Sequence, residues 1–130
     1  MIDDFILKRP KTAVVFTSLG QLLYLSTVRQ MDGVVGNSSS GLIEVPSFKV
    51  GTINIGDRQR GRIRGDSVID CEPTKKDIVL AFKTLFSQSF QDSLETIINP
   101  YGEGGTSEKI VKNLVNQNLK KIIKKKFNNL

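Results

Sequence analysis

Four short apolar runs along the chain predict β-strands. The runs are rich in β-branched residues and cover residues 12–17 (TAVVFT), 33–36 (GVVG), 52–55 (TINI) and 67–71 (SVIDC). Short continuous runs of this kind are typical of strands that a parallel sheet buries on both faces. Because they alternate with helical stretches, they indicate an α/β fold with a three-layer, Rossmann-like parallel sheet.

Amphipathic stretches between and around these runs predict the helices. These stretches cover residues 3–9, 18–31, 41–47, 74–86, 90–98 and 107–127. Ser18 and Gln21 have the spacing of a capping box, which would begin the second helix at Ser18. Thr74 is a good N-cap for the fourth helix, whose apolar residues recur at helical spacing. That stripe consists of Ile78, Phe82 and Phe86.

The predicted sheet is small, and the chain opens with a helix where an α/β domain of this type normally opens with a strand. The length of 130 residues corresponds to one domain. We therefore expect residues 1–119 to form part of a domain that is truncated at its N-terminal side. Residues 120–130 are expected to form a basic helix end or tail.

The positive charge of the chain is concentrated at its C-terminal end. The net charge is +6, but residues 109–130 contain seven lysines and no acid, which leaves twelve basic and 13 acidic residues in 1–108. A nucleic-acid-binding domain is basic across the face that meets the phosphates, so we expect no nucleic-acid partner. The lysine-rich tail has two interpretations: a solvated helix end, which is the commoner case, or a basic amphipathic helix on a membrane surface.

Two residue counts exclude whole classes of chemistry. The chain has no histidine, which excludes Ser-His triads and His-ligated metals on this chain. With Cys71 as the single cysteine, neither an internal disulfide nor a cysteine-based zinc site can form. No apolar run approaches the ~20 residues of a membrane helix. We expect a cytoplasmic protein without a metal or cofactor.

The stretch GVVGNSSSG, which joins the second predicted strand to the third helix, is the best candidate for a binding site. Ligands of open α/β sheets bind at the carboxyl ends of the strands, and a helix N-terminus there offers free N–H groups. Ser38, Ser39 and Ser40 add hydroxyl donors, and Gly41 permits close backbone approach. Asn and Ser are also good N-caps, and from the chemistry alone a simple helix cap is the slightly favoured interpretation.

Four motifs of this sequence together resemble one enzyme family. They are SLGQLLYLS, NSSSGLIEVPSF, TINIGDRQRGR and NPYGEGGTSEKI, in that order over about residues 18–111. The chain thereby resembles the C-terminal nucleotide-binding part of the hydrolysing UDP-N-acetylglucosamine 2-epimerases of sialic-acid and related nonulosonate biosynthesis. The triple serine favours the hydrolysing branch over the non-hydrolysing one. The resemblance implies the C-terminal half of a two-domain, GT-B-like fold.

The resemblance also implies a set of UDP-binding residues. By position in the motifs, Ser38 and Ser39 contact the nucleotide, Glu44 holds the ribose, and Arg58 of GDRQ is a further nucleotide contact. Ser18 occupies a loop that approaches the nucleotide. The family's reaction eliminates UDP from the sugar and hydrates the resulting glycal.

The resemblance assigns the catalytic acids and bases mainly to the N-terminal domain of the family, so we expect no catalytic residue here and no activity of this chain alone. The implied partners are UDP or UDP-N-acetylglucosamine and the N-terminal domain of the parent enzyme. A free sheet edge offers a further interpretation, pairing with a second copy of the chain. The alternatives are a stand-alone nucleotide-binding or assembly module without catalysis, and a non-hydrolysing epimerase.

Overall fold

A computed structural model of the protein describes residues 1–117, with short helices and strands in alternation. The elements are α1 (Ile2–Leu7), α2 (Gly20–Val28), β1 (Val34–Gly36), α3 (Ser40–Ile43), a 3-10 turn (Val45–Phe48), β2 (Thr52–Ile55), β3 (Val68–Cys71), α4 (Lys75–Leu85), α5 (Gln88–Leu94) and α6 (Thr106–Val115). The tail expected at residues 120–130, and the end of the helix predicted to reach residue 127, lie outside the described residues.

The three strands form a parallel sheet in the order β1-β2-β3. Val34 of β1 lies beside Thr52 of β2, and Ile53 lies beside Ile69 of β3. The predicted α/β, Rossmann-like fold is confirmed, and three of its four predicted strands form within one or two residues of their expected bounds.

The prediction of a strand at residues 12–17 is wrong. Residues 13–16 follow no regular hydrogen-bonding pattern, and Val14, Val15 and Phe16 are exposed. The backbone of a strand must pair with a neighbour, and β1 is an edge strand whose outer side has no partner strand within residues 1–117. A β-branched run therefore does not become a strand here by propensity alone.

Side chains that alternate along the strands pack into two separate clusters. On one face Val34 joins Val28 of α2 with Val45 and Val50. Thr52 of β2 lies beside Val34, so the next residue of β2, Ile53, points to the other face, where it packs against α4. Because successive residues of a strand point to opposite faces, the two clusters define three layers, as expected.

Helix α4 begins where its cap predicts, but it buries a different face. Thr74 accepts a hydrogen bond from the N–H of Asp77 at 3.2 Å. The buried residues of the helix are Ala81 and Leu85, whereas Phe86 is 60% exposed and its ring stacks on that of Phe82. Ala81 and Leu85 pack with Ile53 of the central strand, which leaves the rings of Phe82 and Phe86 exposed.

The capping box predicted at Ser18 does not form. Helix α2 starts at Gly20 with Leu19 as its N-cap, and the Ser18 hydroxyl oxygen accepts a hydrogen bond from the N–H of Gly20 at 3.3 Å. Gly20 has a positive φ of 66°, a conformation that glycine adopts without strain, and the chain turns sharply there. The helix therefore begins two residues later than predicted. None of the helices in residues 1–117 combines the length and apolar character needed to cross a membrane.

Candidate functional site

The serine turn, residues 37–39, lies at the carboxyl end of β1, as the sequence predicts. Ser38 is exposed and Ser39 is half-buried. Ser39 is the N-cap of α3 but makes no side-chain capping hydrogen bond. The Ser38 hydroxyl oxygen accepts from the N–H of Ser40 at 3.3 Å. Neither hydroxyl donates to an acceptor among residues 1–117, so both can donate to a ligand.

Helix α3 is shorter than the predicted helix over residues 41–47. It contains four residues and is followed by a 3-10 turn that carries Pro46. A macrodipole grows from the alignment of successive peptide units, so a single turn contributes little to anion binding. The chemistry of this site therefore depends on side chains more than on the helix dipole.

Arg58 reaches the serine turn from the loop that follows β2. Its Nη1 lies 3.4 Å from Oδ1 of Asn37, at the start of the turn. The adjacent Gln59 donates from Nε2 to the backbone carbonyl of Asn37 at 2.7 Å. The fold thus places a guanidinium beside Ser38 and Ser39, although these residues are about twenty positions apart in the sequence.

Glu44 and Ser18 meet on the other side of α3. Both line a cavity of about 620 Å³ that also includes Tyr24 and the apolar residues 14–16. Glu44 is half-buried at the C-terminal end of α3, and Ser18 is exposed. The candidate residues therefore form two groups, with Ser38, Ser39 and Arg58 at one end of α3 and Glu44 and Ser18 at the other.

Ser40 and Gly41 have partners within the fold. The Ser40 hydroxyl donates to the phenol oxygen of Tyr24 at 2.9 Å. Gly41 is buried against β2, and a Cβ atom there would lie 2.6 Å from Cγ2 of Thr52. The absence of a side chain at position 41 is thus required by the packing of α3 on the sheet.

The remaining loop arginines differ from Arg58. Arg60 and Arg62 are exposed, as is typical of solvated charges in a loop. Arg64 forms an ion pair with Asp70 of β3, the edge strand on the far side of the sheet. Of the four arginines, Arg58 alone contacts the serine turn within residues 1–117.

The loop at residues 99–105 is a structural connection, as the sequence suggests. Asn99 is buried and donates from Nδ2 to the carbonyl of Ile43 at 2.8 Å. The Tyr101 hydroxyl donates to the carbonyl of Ile63 at 2.8 Å. The loop therefore ties the end of α3 to the arginine-containing loop. The sequence analysis did not identify Gln59 and Asn99, since no local pattern marks an amide that bonds to a distant carbonyl.

Cys71 is no activated nucleophile. Burial raises the pKa of its thiol above the ordinary value, and the carboxylates of Asp77, Asp70 and Glu72 raise that pKa further. A raised pKa keeps the sulfur protonated at neutral pH and hence unreactive. Across residues 1–117, no three Cys, Asp or Glu side chains come together in a way that could hold a metal ion.

Comparison with known proteins identifies the class. Ligands of open α/β sheets bind outside the carboxyl ends of the strands, which is where this chain places the serine turn and Arg58. Residues 1–115 match the family described as UDP-N-acetylglucosamine 2-epimerase. The chain belongs to the UDP-N-acetylglucosamine 2-epimerase family.

Three relatives align with different lengths of the chain. The GDP/UDP-N,N'-diacetylbacillosamine 2-epimerase (hydrolyzing) of Campylobacter jejuni is 40% identical over 128 residues, or 98% of this chain and 33% of that protein. The polysialic acid biosynthesis protein P7 of Escherichia coli is 51% identical over 78 residues, which are 60% of this chain and 20% of that protein. The UDP-N,N'-diacetylbacillosamine 2-epimerase (hydrolyzing) of Legionella pneumophila is 35% identical over 86 residues, or 66% of this chain and 22% of that protein. The aligned part of the chain thus spans between a fifth and a third of the length of these relatives.

Proposed function

We propose that this chain is the UDP-binding part of a hydrolysing UDP-sugar 2-epimerase. The observation that carries the proposal is the contact of Arg58 with Asn37, directly before Ser38 and Ser39 at the carboxyl edge of the sheet, in a chain of this family. Two relatives with hydrolysing 2-epimerase activity in their names support the reaction type.

In this proposal the two ends of α3 bind different parts of the nucleotide. The hydroxyls of Ser38 and Ser39 donate to the diphosphate oxygens, and the guanidinium of Arg58 neutralises their charge. The Glu44 carboxylate accepts from the ribose hydroxyls, with Ser18 at the same cavity. Ser40 and Gly41 support the turn through Tyr24 and β2.

The proposed reaction of the whole enzyme begins with elimination. A base removes the proton at C2 of the sugar, the C1–oxygen bond breaks, and UDP leaves as a glycal forms. Water then adds to the glycal, which gives the free 2-epimeric sugar. We take UDP-N-acetylglucosamine as the substrate, with a diacetamido sugar as the alternative that the names of two relatives suggest.

The candidate residues of this chain are suited to binding the nucleotide and not to the elimination. The chain has no histidine, and in the proposed site Glu44 is engaged by the ribose. Asp57 and Asp66 are exposed, and neither lines the cavity that holds Glu44. We propose that the remainder of the enzyme supplies the base and covers the exposed residues 14–16 beside the cavity.

Calorimetry with UDP tests the nucleotide site. Replacing both Ser38 and Ser39 by alanine should weaken UDP binding by about 1–3 kcal/mol, the range for hydrogen bonds to charged groups. Arg58→Ala should weaken it as well. Arg64→Ala is the matched control, since that arginine is paired with Asp70, and it should leave the affinity unchanged. Equal effects of the two arginine variants would mean that the loop contributes only diffuse charge.

An assay of UDP release from UDP-N-acetylglucosamine distinguishes the two proposed functions: part of an epimerase, or a nucleotide-binding module without catalysis. The chain alone should release no UDP, with the Campylobacter jejuni relative assayed in parallel on its own diacetamido sugar nucleotide. Restored release on addition of the remaining segment of a family enzyme supports the epimerase assignment. UDP release by the chain alone would contradict the placement of the base outside it.

A further inference from the structure

Three buried side chains hold the segment of residues 37–44 by its backbone. The side chains are those of Thr52, Gln59 and Asn99, which are 2%, 3% and 7% exposed. They donate to carbonyls at the two ends and the middle of the segment: Gln59 Nε2 to Asn37 at 2.7 Å, Thr52 Oγ1 to Gly41 at 3.0 Å, and Asn99 Nδ2 to Ile43 at 2.8 Å. The donors come from three separate stretches of the chain, so the segment is fixed by tertiary contacts and not by its own four-residue helix.

The burial of Gln59 has a cost that its single hydrogen bond does not remove. Its Oε1 atom is inaccessible and has no hydrogen-bond partner among the described residues. A buried polar atom without a partner lowers stability, and such atoms are rare in folded proteins. What the Gln59 amide provides is the hydrogen bond that fixes the position of Asn37, whose own side chain contacts Arg58.

We infer that Gln59 and Asn99 are positioning residues of the nucleotide site, each serving one end of segment 37–44. Gln59 fixes the end that carries Ser38 and Ser39, and Asn99 fixes the end that carries Glu44. The assignment of these two ends to diphosphate and ribose rests on the proposed function. The hydrogen bonds themselves are independent of it.

This division of roles predicts that the two substitutions weaken the binding of UDP and of uridine to different extents. Gln59→Met keeps the length of the side chain but removes the donor, so the diphosphate contacts lose their alignment while Glu44 stays held by Asn99. This variant should raise the Kd for UDP about tenfold, the size of one lost charge-assisted contact, and leave the Kd for uridine within about twofold. Asn99→Leu should weaken UDP and uridine alike.

The experiment is a nuclear magnetic resonance titration of the 130-residue chain with UDP and with uridine. Gln91→Met is the matched control, because the Gln91 amide also donates to a backbone carbonyl, that of Leu85, away from segment 37–44. The control should change neither affinity. A Gln59→Met chain with the wild-type Kd for UDP, or with equal losses for UDP and uridine, would overturn the inference.

Amide hydrogen exchange without any nucleotide tests the positioning separately from the proposed function. The N–H groups of Gly41 and Leu42 donate to the carbonyls of Ser38 and Ser39, so they report on the order of the turn. Gln59→Met should speed their exchange and Gln91→Met should not; equal exchange overturns the inference. Accelerated exchange in a chain that binds no UDP supports the positioning role and refutes the proposed function. If Gln59→Met does not fold, Gln59→Asn, whose shorter amide cannot reach the carbonyl, is measured in its place.

Discussion

Replacing Gly41 by alanine should destabilise the protein although alanine is the better helix former. A Cβ atom at this position would lie 2.6 Å from Cγ2 of Thr52, whereas carbon atoms pack at ~3.5–4.0 Å. Thr52 is buried in the central strand and cannot move aside. Overpacking of this kind costs ~1–3 kcal/mol, and the gain in helix propensity returns ~1 kcal/mol. We expect a net loss of about 1–2 kcal/mol, since a contact this short lies at the severe end of the range.

A double-mutant cycle with Thr52→Ser identifies the cause of this loss. Serine lacks Cγ2 but keeps the hydroxyl that donates to the Gly41 carbonyl at 3.0 Å. Urea unfolding followed by far-ultraviolet circular dichroism gives the four free energies of unfolding. We expect the double variant to lose less than the sum of the two single losses, with a favourable coupling of about 1 kcal/mol. Additive losses, or a Gly41→Ala chain as stable as the wild type, would refute the close packing of α3 on β2.

Two further predictions concern α4 and its neighbouring strand. Leu85→Ala should lower the free energy of unfolding by about 2–5 kcal/mol, because Leu85 is 1% exposed between the helix and the sheet. Phe86→Ala removes a larger but exposed side chain, so urea unfolding should show a much smaller loss; equal losses would contradict the observed helix face. Alkylation of Cys71 by iodoacetamide should be slow at neutral pH and accelerate as the pH rises, since burial and nearby carboxylates raise the pKa of the thiol and only the thiolate reacts. Asp77→Asn removes one of those carboxylates and should increase the rate of alkylation at a fixed pH near neutrality. An unchanged rate would show that the Asp77 carboxylate does not raise the pKa of the thiol.

Local sequence determined the elements whose formation depends on neighbouring residues. Thr74 caps α4 because its hydroxyl and the N–H of Asp77 are three positions apart. The runs at 52–55 and 67–71 form strands because their apolar, β-branched side chains suit a sheet buried on both faces. The serine turn lies at the carboxyl edge of the sheet because it directly follows β1 in the sequence and precedes α3.

Tertiary structure alone decided the features that depend on distant partners. Residues 12–17 have the composition of a strand but pair with neither edge of the three-stranded sheet, and a strand needs backbone hydrogen bonds to a neighbour as well as β propensity. The face that α4 buries is the one that packs Ala81 and Leu85 on Ile53 of β2, a partner that the periodicity of the helix does not identify. Gln59 and Asn99 bond to carbonyls 22 and 56 positions away. Backbone carbonyls are identical along the chain, so the sequence cannot indicate which of them a buried amide will meet.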